Sequence, residues 1–172
     1  MKKLKKGERG FTLIEMLVVL VLIGIITGGI TAGIRQVLTI NTRASNHMIA
    51  VRQVQQAGKE VSKDALQAQP DKINVNPPGG DFLVLNWTNW EGLENMVVYT
   101  IDDDKLKRSH TLNGTAQGTA PPVVAEYIDP SQTSCSWNNA TKILTFTVTA
   151  VVGSGSYGAI ETRVYEIEPR PG

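Results

Sequence analysis

The sequence predicts an α+β chain in which a long N-terminal α-helix packs against an antiparallel β-sheet head. Three observations predict it. Residues 11–34 form an apolar run with one ionisable side chain, Glu15. Small and apolar residues then recur every three or four positions as far as Ala68, the mark of an amphipathic helix. Beyond Pro70 the texture changes to short β-branched and aromatic runs separated by turn residues.

The apolar run would extend about 36 Å as a helix at ~1.5 Å per residue, enough to cross a bilayer. Of the chain's 17 Lys and Arg, five precede the run (Lys2, Lys3, Lys5, Lys6 and Arg9), with one opposing charge, Glu8. Positive charge before the span and a polar region after it predict a cytoplasmic N-terminus and a head outside. The run is longer than the core of a secretory signal, and Thr31-Ala32-Gly33 is a poor cleavage site. A retained single-pass anchor fits better. Glu15 admits two readings: its carboxylate snorkels to the headgroups, or it meets a cation. A helix N-terminus already favours negative charge, and a free amine there would favour it more.

The amphipathic stripe comprises Ala44, Met48, Val51, Val54, Gly58, Val61, Ala65 and Ala68, and Pro70 ends it. The expected divisions are a leader at 1–10, a membrane or filament-core helix at 11–34, an amphipathic helix at 35–69 and a β head at 70–172. Within the head, strands are expected at Phe82–Trp87, Met96–Ile101, Lys105–Arg108, Val123–Ile128, Ile143–Val152 and Ile160–Ile167. These make a sheet of five to seven strands. Pro77-Pro78-Gly79-Gly80 reads as a connector, Asp102-Asp103-Asp104 as a turn, and Gly153–Gly158 as a hairpin loop.

Several function classes are excluded or weakened. Without the first ten residues the chain carries 12 positive and 15 negative side chains, a net charge of −3, so it has no basic footprint for nucleic acid. Phosphate loops, nucleophile elbows, zinc clusters and dinucleotide fingerprints are missing, and no cofactor is implied. An enzyme is not expected. Cys135 is the one cysteine, and it reads as a small, partly buried residue. His47 and His110 lack ligand spacing and read as surface residues. The Asp102–Asp104 run could hold calcium but lacks the spaced ligands of a recognised loop, so a solvated turn is the better reading. Trp87, Trp90 and Trp137 read as core or rim packing. Three sequons, at Asn86, Asn113 and Asn139, read as coincidence.

Lys5-Lys6-Gly7-Glu8-Arg9-Gly10 followed by Phe11-Thr12-Leu13-Ile14-Glu15 resembles the processing site of type IV prepilins and type II secretion pseudopilins. The resemblance implies cleavage between Gly10 and Phe11 by prepilin peptidase, N-methylation of Phe11, and a pairing role for Glu15 with a neighbouring subunit's N-terminal amine. It implies as partners other pilin or pseudopilin subunits, the peptidase/methyltransferase, an inner-membrane assembly platform and membrane lipid. Gly24 matches a glycine common in these helices, whereas the family's frequent proline is replaced by Ala32. Thr27–Gly33 would then either melt locally or pack closely against another helix. A looser resemblance, to J-type pseudopilins or the W-type minor pilin, rests on Lys59–Asp64, a strand ending in Trp87, Val97–Ile101, Leu106–Arg108 and Tyr165–Arg170. The implied function is a minor pilin or pseudopilin, at the filament tip if it is J-like. The rivals are a major pilin and a DNA- or ligand-binding pilin of a competence system.

Overall fold

The structure, a computed structural model, describes residues 11–170. One α-helix, α1 (Leu13–Ala65), is followed by a 3-10 turn and nine strands. The strands are β1 (Ile73–Val75), β2 (Leu83–Thr88), β3 (Glu94–Asp102), β4 (Lys105–Leu112), β5 (Thr115–Ala116), β6 (Val123–Ala125), β7 (Ser134–Asn138), β8 (Ile143–Val152) and β9 (Ala159–Ile167). The chain divides into two compact units between Asn41 and Thr42. In the first, the described residues are Phe11, Thr12 and the opening part of α1. The second contains the rest of α1 and all nine strands.

The head holds two antiparallel sheets where the sequence predicts one. β1 to β5 lie in chain order, with β6 also on β4, and β7-β8-β9 form a separate three-stranded sheet. The missed strands have weak signals for a physical reason. β1 and β5 are only three and two residues long. In β7, Ser134, Ser136 and Asn138 face solvent, leaving only Cys135 and Trp137 to mark the inner face. The strand expected at Val123–Ile128 stops at Ala125. Tyr127 takes φ +61, which breaks the extended run, and Ile128 makes an isolated bridge to Ala150.

From Val54 onward the buried helix face is the expected one, but it begins later than the predicted stripe. Ala50, Val54, Ala57, Gly58, Val61, Asp64, Ala65 and Ala68 are buried, whereas Ala44 and Met48 are exposed. Small residues at five of these positions let the sheets approach the helix axis. The core then fills with Leu83, Leu85, Val97, Tyr99, Leu106, Leu144, Phe146 and Val148. Gly58 shows how close the approach is. A Cβ there would stand 2.0 Å from Cζ of Tyr165. The Tyr165 ring is held from both sides, because its hydroxyl donates to the Val54 carbonyl (3.2 Å) and its face stacks on Phe146.

The deepest polar contact was overlooked in the sequence. Asp64 lies on the buried stripe, 1% exposed. Arg108 grips both of its oxygens, Nε to Oδ2 at 2.6 Å and a terminal nitrogen to Oδ1 at 3.0 Å. The Tyr99 hydroxyl donates to Oδ2 at 2.5 Å. Tyr99 and Arg108 are cross-strand partners in β3 and β4, so one carboxylate ties the helix to two strands. Burial, then the Asp64 charge, pushes the Tyr99 phenol above its ordinary value. The Asp64 hydrogen bond raises Arg108 against the opposing effect of desolvation.

Three tests follow from this packing. Gly58→Ala adds about 1 kcal/mol of helix propensity but forces Tyr165 off its seat, an overpacking cost of about 1–3 kcal/mol, so thermal unfolding should show a lower Tm. Asp64→Asn strands the Arg108 charge in a half-buried site. It should cost about 3 kcal/mol by denaturant unfolding, toward the low end for a broken buried pair because Arg108 keeps some solvent contact. The raised Tyr99 pKa favours the folded state below pH ~10 and is lost above it, because the unfolded phenol ionises first. Tyr99→Phe should therefore flatten the fall in stability between pH ~9 and ~11. Equal slopes in the two proteins would remove Tyr99 from the alkaline response.

Candidate assembly segment

The resemblance points to Gly10, Phe11 and Glu15. Gly10 and the leader lie outside the described residues. Phe11 precedes the helix and is 74% exposed. Thr12 opens the first turn, since its carbonyl accepts the N–H groups of Glu15 (3.1 Å) and Met16 (3.3 Å). Glu15 is the acidic residue of that turn, where unpaired helix N–H groups concentrate positive potential.

The apolar residues that follow have no partner among the described residues. Leu13, Ile14, Met16, Leu17 and every Val, Leu and Ile up to Ile34 are exposed. This stretch gives α1 a window long and apolar enough to cross a membrane, none of it buried. Such a surface is stable in lipid or against other apolar helices, but not in water. The glycines carry the same message. A Cβ at Gly24, Gly28, Gly29 or Gly33 would meet nothing within 4 Å, so no contact among the described residues accounts for them. Gly24, Thr27, Gly28, Thr31, Ala32 and Arg35 line one shallow groove along this face. The Thr31 hydroxyl is turned back onto the Thr27 carbonyl at 2.9 Å, which leaves its methyl outward.

The other residues singled out from the sequence are dispersed. The turn at Asp102–Asp104 is a tight hairpin with Asp103 at φ +54. Asp102 is engaged by Lys107, whose hydrogen bond and charge hold its carboxyl below the usual range. Among the described residues, no three His, Cys, Asp or Glu side chains gather as a metal site. His47 is exposed on α1. His110 corrects the surface reading: it is half-buried, stacks on Trp87 and pairs through Nε2 with Asn95 Oδ1 at 3.0 Å. Burial, then the nearby Arg108 charge, lowers its pKa. Trp87 and Trp137 pack on the core. Trp90 does not, and stands 91% exposed in the β2–β3 turn. Cys135 is buried, which pushes its thiol up to about 12.

Of the sequon asparagines, Asn86 donates to the Lys72 carbonyl (3.2 Å) within β2, and Asn113 accepts the Glu94 N–H (2.8 Å) in the β4–β5 turn. Asn139 accepts from Lys142 at 2.7 Å in the turn before β8. The residue that sequence reasoning overlooked is Asp64. Its signal was available, since a charged residue at the 61–65–68 face of an amphipathic helix must find a partner.

No curated protein and no solved structure matches the chain. Residues 5–31 match the family model of the prokaryotic N-terminal methylation motif. That motif, followed by an apolar helix and an antiparallel head, supports a place for this chain in the type IV pilin/pseudopilin family.

Proposed function

We propose that this chain is a minor pilin or pseudopilin, a structural subunit of a type IV pilus-like or type II secretion filament. The observation that carries the reading is the methylation motif at residues 5–31 on a helix whose apolar face is bare apart from one carboxylate. Prepilin peptidase cuts between Gly10 and Phe11, and Phe11 is N-methylated. The new amine is a cation at the helix end, near the depth of Glu15. In a filament the helices are staggered, and Glu15 of one subunit accepts the amine of its neighbour. Leaving the carboxylate unpaired among apolar helices would cost several kcal/mol, so the pair selects one register.

Before assembly the protein sits as a single-pass anchor in the inner membrane, N-terminus cytoplasmic and head outside. An assembly platform and the surrounding lipid are its partners there. The head carries no catalytic constellation among its described residues, and its chemistry is recognition of other subunits. A minor role, with a tip position if it is J-like, is favoured by the loose motif Val97–Ile101 and Leu106–Arg108. In the head these strands form the Tyr99–Arg108 half of the helix clamp.

Mass spectrometry of the membrane-extracted protein should find a chain beginning at Phe11 with one added methyl group. Any other N-terminus overturns the processing reading. Glu15→Ala should be cleaved normally yet enter filaments roughly tenfold less or worse, the equivalent of about 1.4 kcal/mol per contact. Normal incorporation of this variant removes the pairing role while leaving processing intact.

A further inference from the structure

β9 is the outer strand of the three-stranded sheet, and no described strand pairs with its far edge. Its outward backbone groups can be deduced from β8. The Asp129 N–H donates to the Thr149 carbonyl (2.9 Å), and the Val151 N–H donates to the Tyr127 carbonyl (2.8 Å). Thr149 and Val151 therefore point their backbone groups away from β9, and strand alternation turns those of Val148 and Ala150 toward it. The β9 partners of Val148 and Ala150 are Arg163 and Glu161. Ile160, Thr162, Val164 and Glu166 consequently hold N–H and C=O groups out along the free edge.

Side chains alternate as well. Glu161 and Arg163 share the core-facing side and form an ion pair at 3.3 Å, with their side chains 22% and 39% exposed. On the opposite face Ile160 and Val164 are 60% and 58% exposed. Native sheet edges are usually blunted by proline, a bulge, a cover or charged side chains, and of these β9 has the charges of Glu161 and Arg163. β9 has neither proline nor bulge over its nine residues.

We propose that this edge pairs antiparallel with the same edge of a second copy of the chain, about a two-fold axis through Thr162. Backbone phase and charge select that register. Outward groups can bond only to outward groups, so the axis must pass through a residue and not between two. An axis at Glu161 or Arg163 sets like charges opposite each other. At Thr162, each Glu161 faces the second copy's Arg163 in a non-hydrogen-bonded pair, the closer of the two pair types at about 4.5 Å between Cα atoms. Each Ile160 faces the second copy's Val164 on the other side, burying the exposed apolar pair. The segment Ala159-Ile160-Glu161-Thr162-Arg163-Val164-Tyr165 is thus self-complementary in charge and in apolar character, as an isologous contact requires. Two three-stranded sheets become one of six. The axis runs perpendicular to the sheet, so the two heads face in opposite directions. A helical filament keeps all of its subunits in one orientation, so this contact joins copies from different filaments.

The test uses the full-length chain in detergent micelles. Thr162→Cys places a thiol at the axis, where paired Cα atoms are about 5.5 Å apart and within disulfide reach. Mild oxidation should give a linked dimer, while the native Cys135 stays buried. In that background Arg163→Glu or Glu161→Arg should cut the dimer yield roughly tenfold, since like charges then oppose across the strands. The double variant Glu161→Arg/Arg163→Glu restores the opposite pairs and should recover the yield, which a merely misfolded head would not do. Absence of the Thr162→Cys dimer, single variants that link as well as their parent, or a double variant no better than the singles would each overturn the pairing.

Discussion

The Asp64 carboxylate is the contact on which the head depends. Three donor atoms from two strands converge on a side chain that solvent scarcely reaches. A carboxylate in that position is costly to desolvate, and an apolar cluster of similar size would hold the helix with comparable free energy. What the clamp adds is position. Val54, Val61 and Ala65 could shift against Leu83, Leu85 and Val97 at a smaller penalty than a buried charge, because dispersion contacts are non-directional. Asp64 could not, since a shift of one residue would bury the charge unpaired. Three further polar contacts agree on the same seating. Gln53 accepts the Glu126 N–H (2.9 Å), Asn46 donates to the Tyr157 carbonyl (2.7 Å), and Tyr165 donates to Val54.

The clamp also explains which parts of the head could be read in advance. The amphipathic period located the helix to within about a turn of its end, and hydrogen bonds from Ala68 back to Asp64 and Ala65 continue past Ala65. It did not give where the buried face begins, because alanines and glycine dominate that face and carry little hydrophobic signal. Ala50 and Ala57 are wholly buried, whereas the more apolar Met48 is out. β8 was legible end to end, since alternate residues along it are buried and the strand lies at the middle of its sheet. β7 was not, because its outer face is serine and asparagine. The partition into two sheets depends on long-range pairing that no local pattern encodes.

The glycines of α1 divide by the same logic. Gly58 is explained inside the chain by the Tyr165 ring. Gly24, Gly28, Gly29 and Gly33 are not, and each costs about 1 kcal/mol of helix stability relative to alanine. A chain that spends this without an internal gain is shaped for a neighbour or for local melting. Close approach of a second helix would explain the absence of Cβ atoms on the face where Gly24, Gly28 and Ala32 recur at four-residue steps. The candidate site was legible only in part, because Glu15 and the Gly10–Phe11 junction mark the proposed chemistry, while the partner surface proposed for it lies on other molecules.

The two contacts proposed for this chain differ in symmetry, and the difference decides what each can build. Glu15 and the neighbour's amine are unlike groups at different places on the same surface, so their contact is heterologous and repeats without closing, as a filament requires. The β9 edge meets its own copy and closes after two. A chain bearing both can propagate along one axis through its helix and cross-link sideways through its head. The two do not compete for a surface, since one uses the first turn of α1 and the other the edge of β9. Sideways pairing would also act collectively. A single strand-edge contact exposes few groups and is weak, but where the head recurs along two filaments its copies add, and linked contacts gain by effective concentration. Weak self-pairing of one edge is therefore sufficient for lateral association of filaments in which this head recurs, while single anchored copies remain apart.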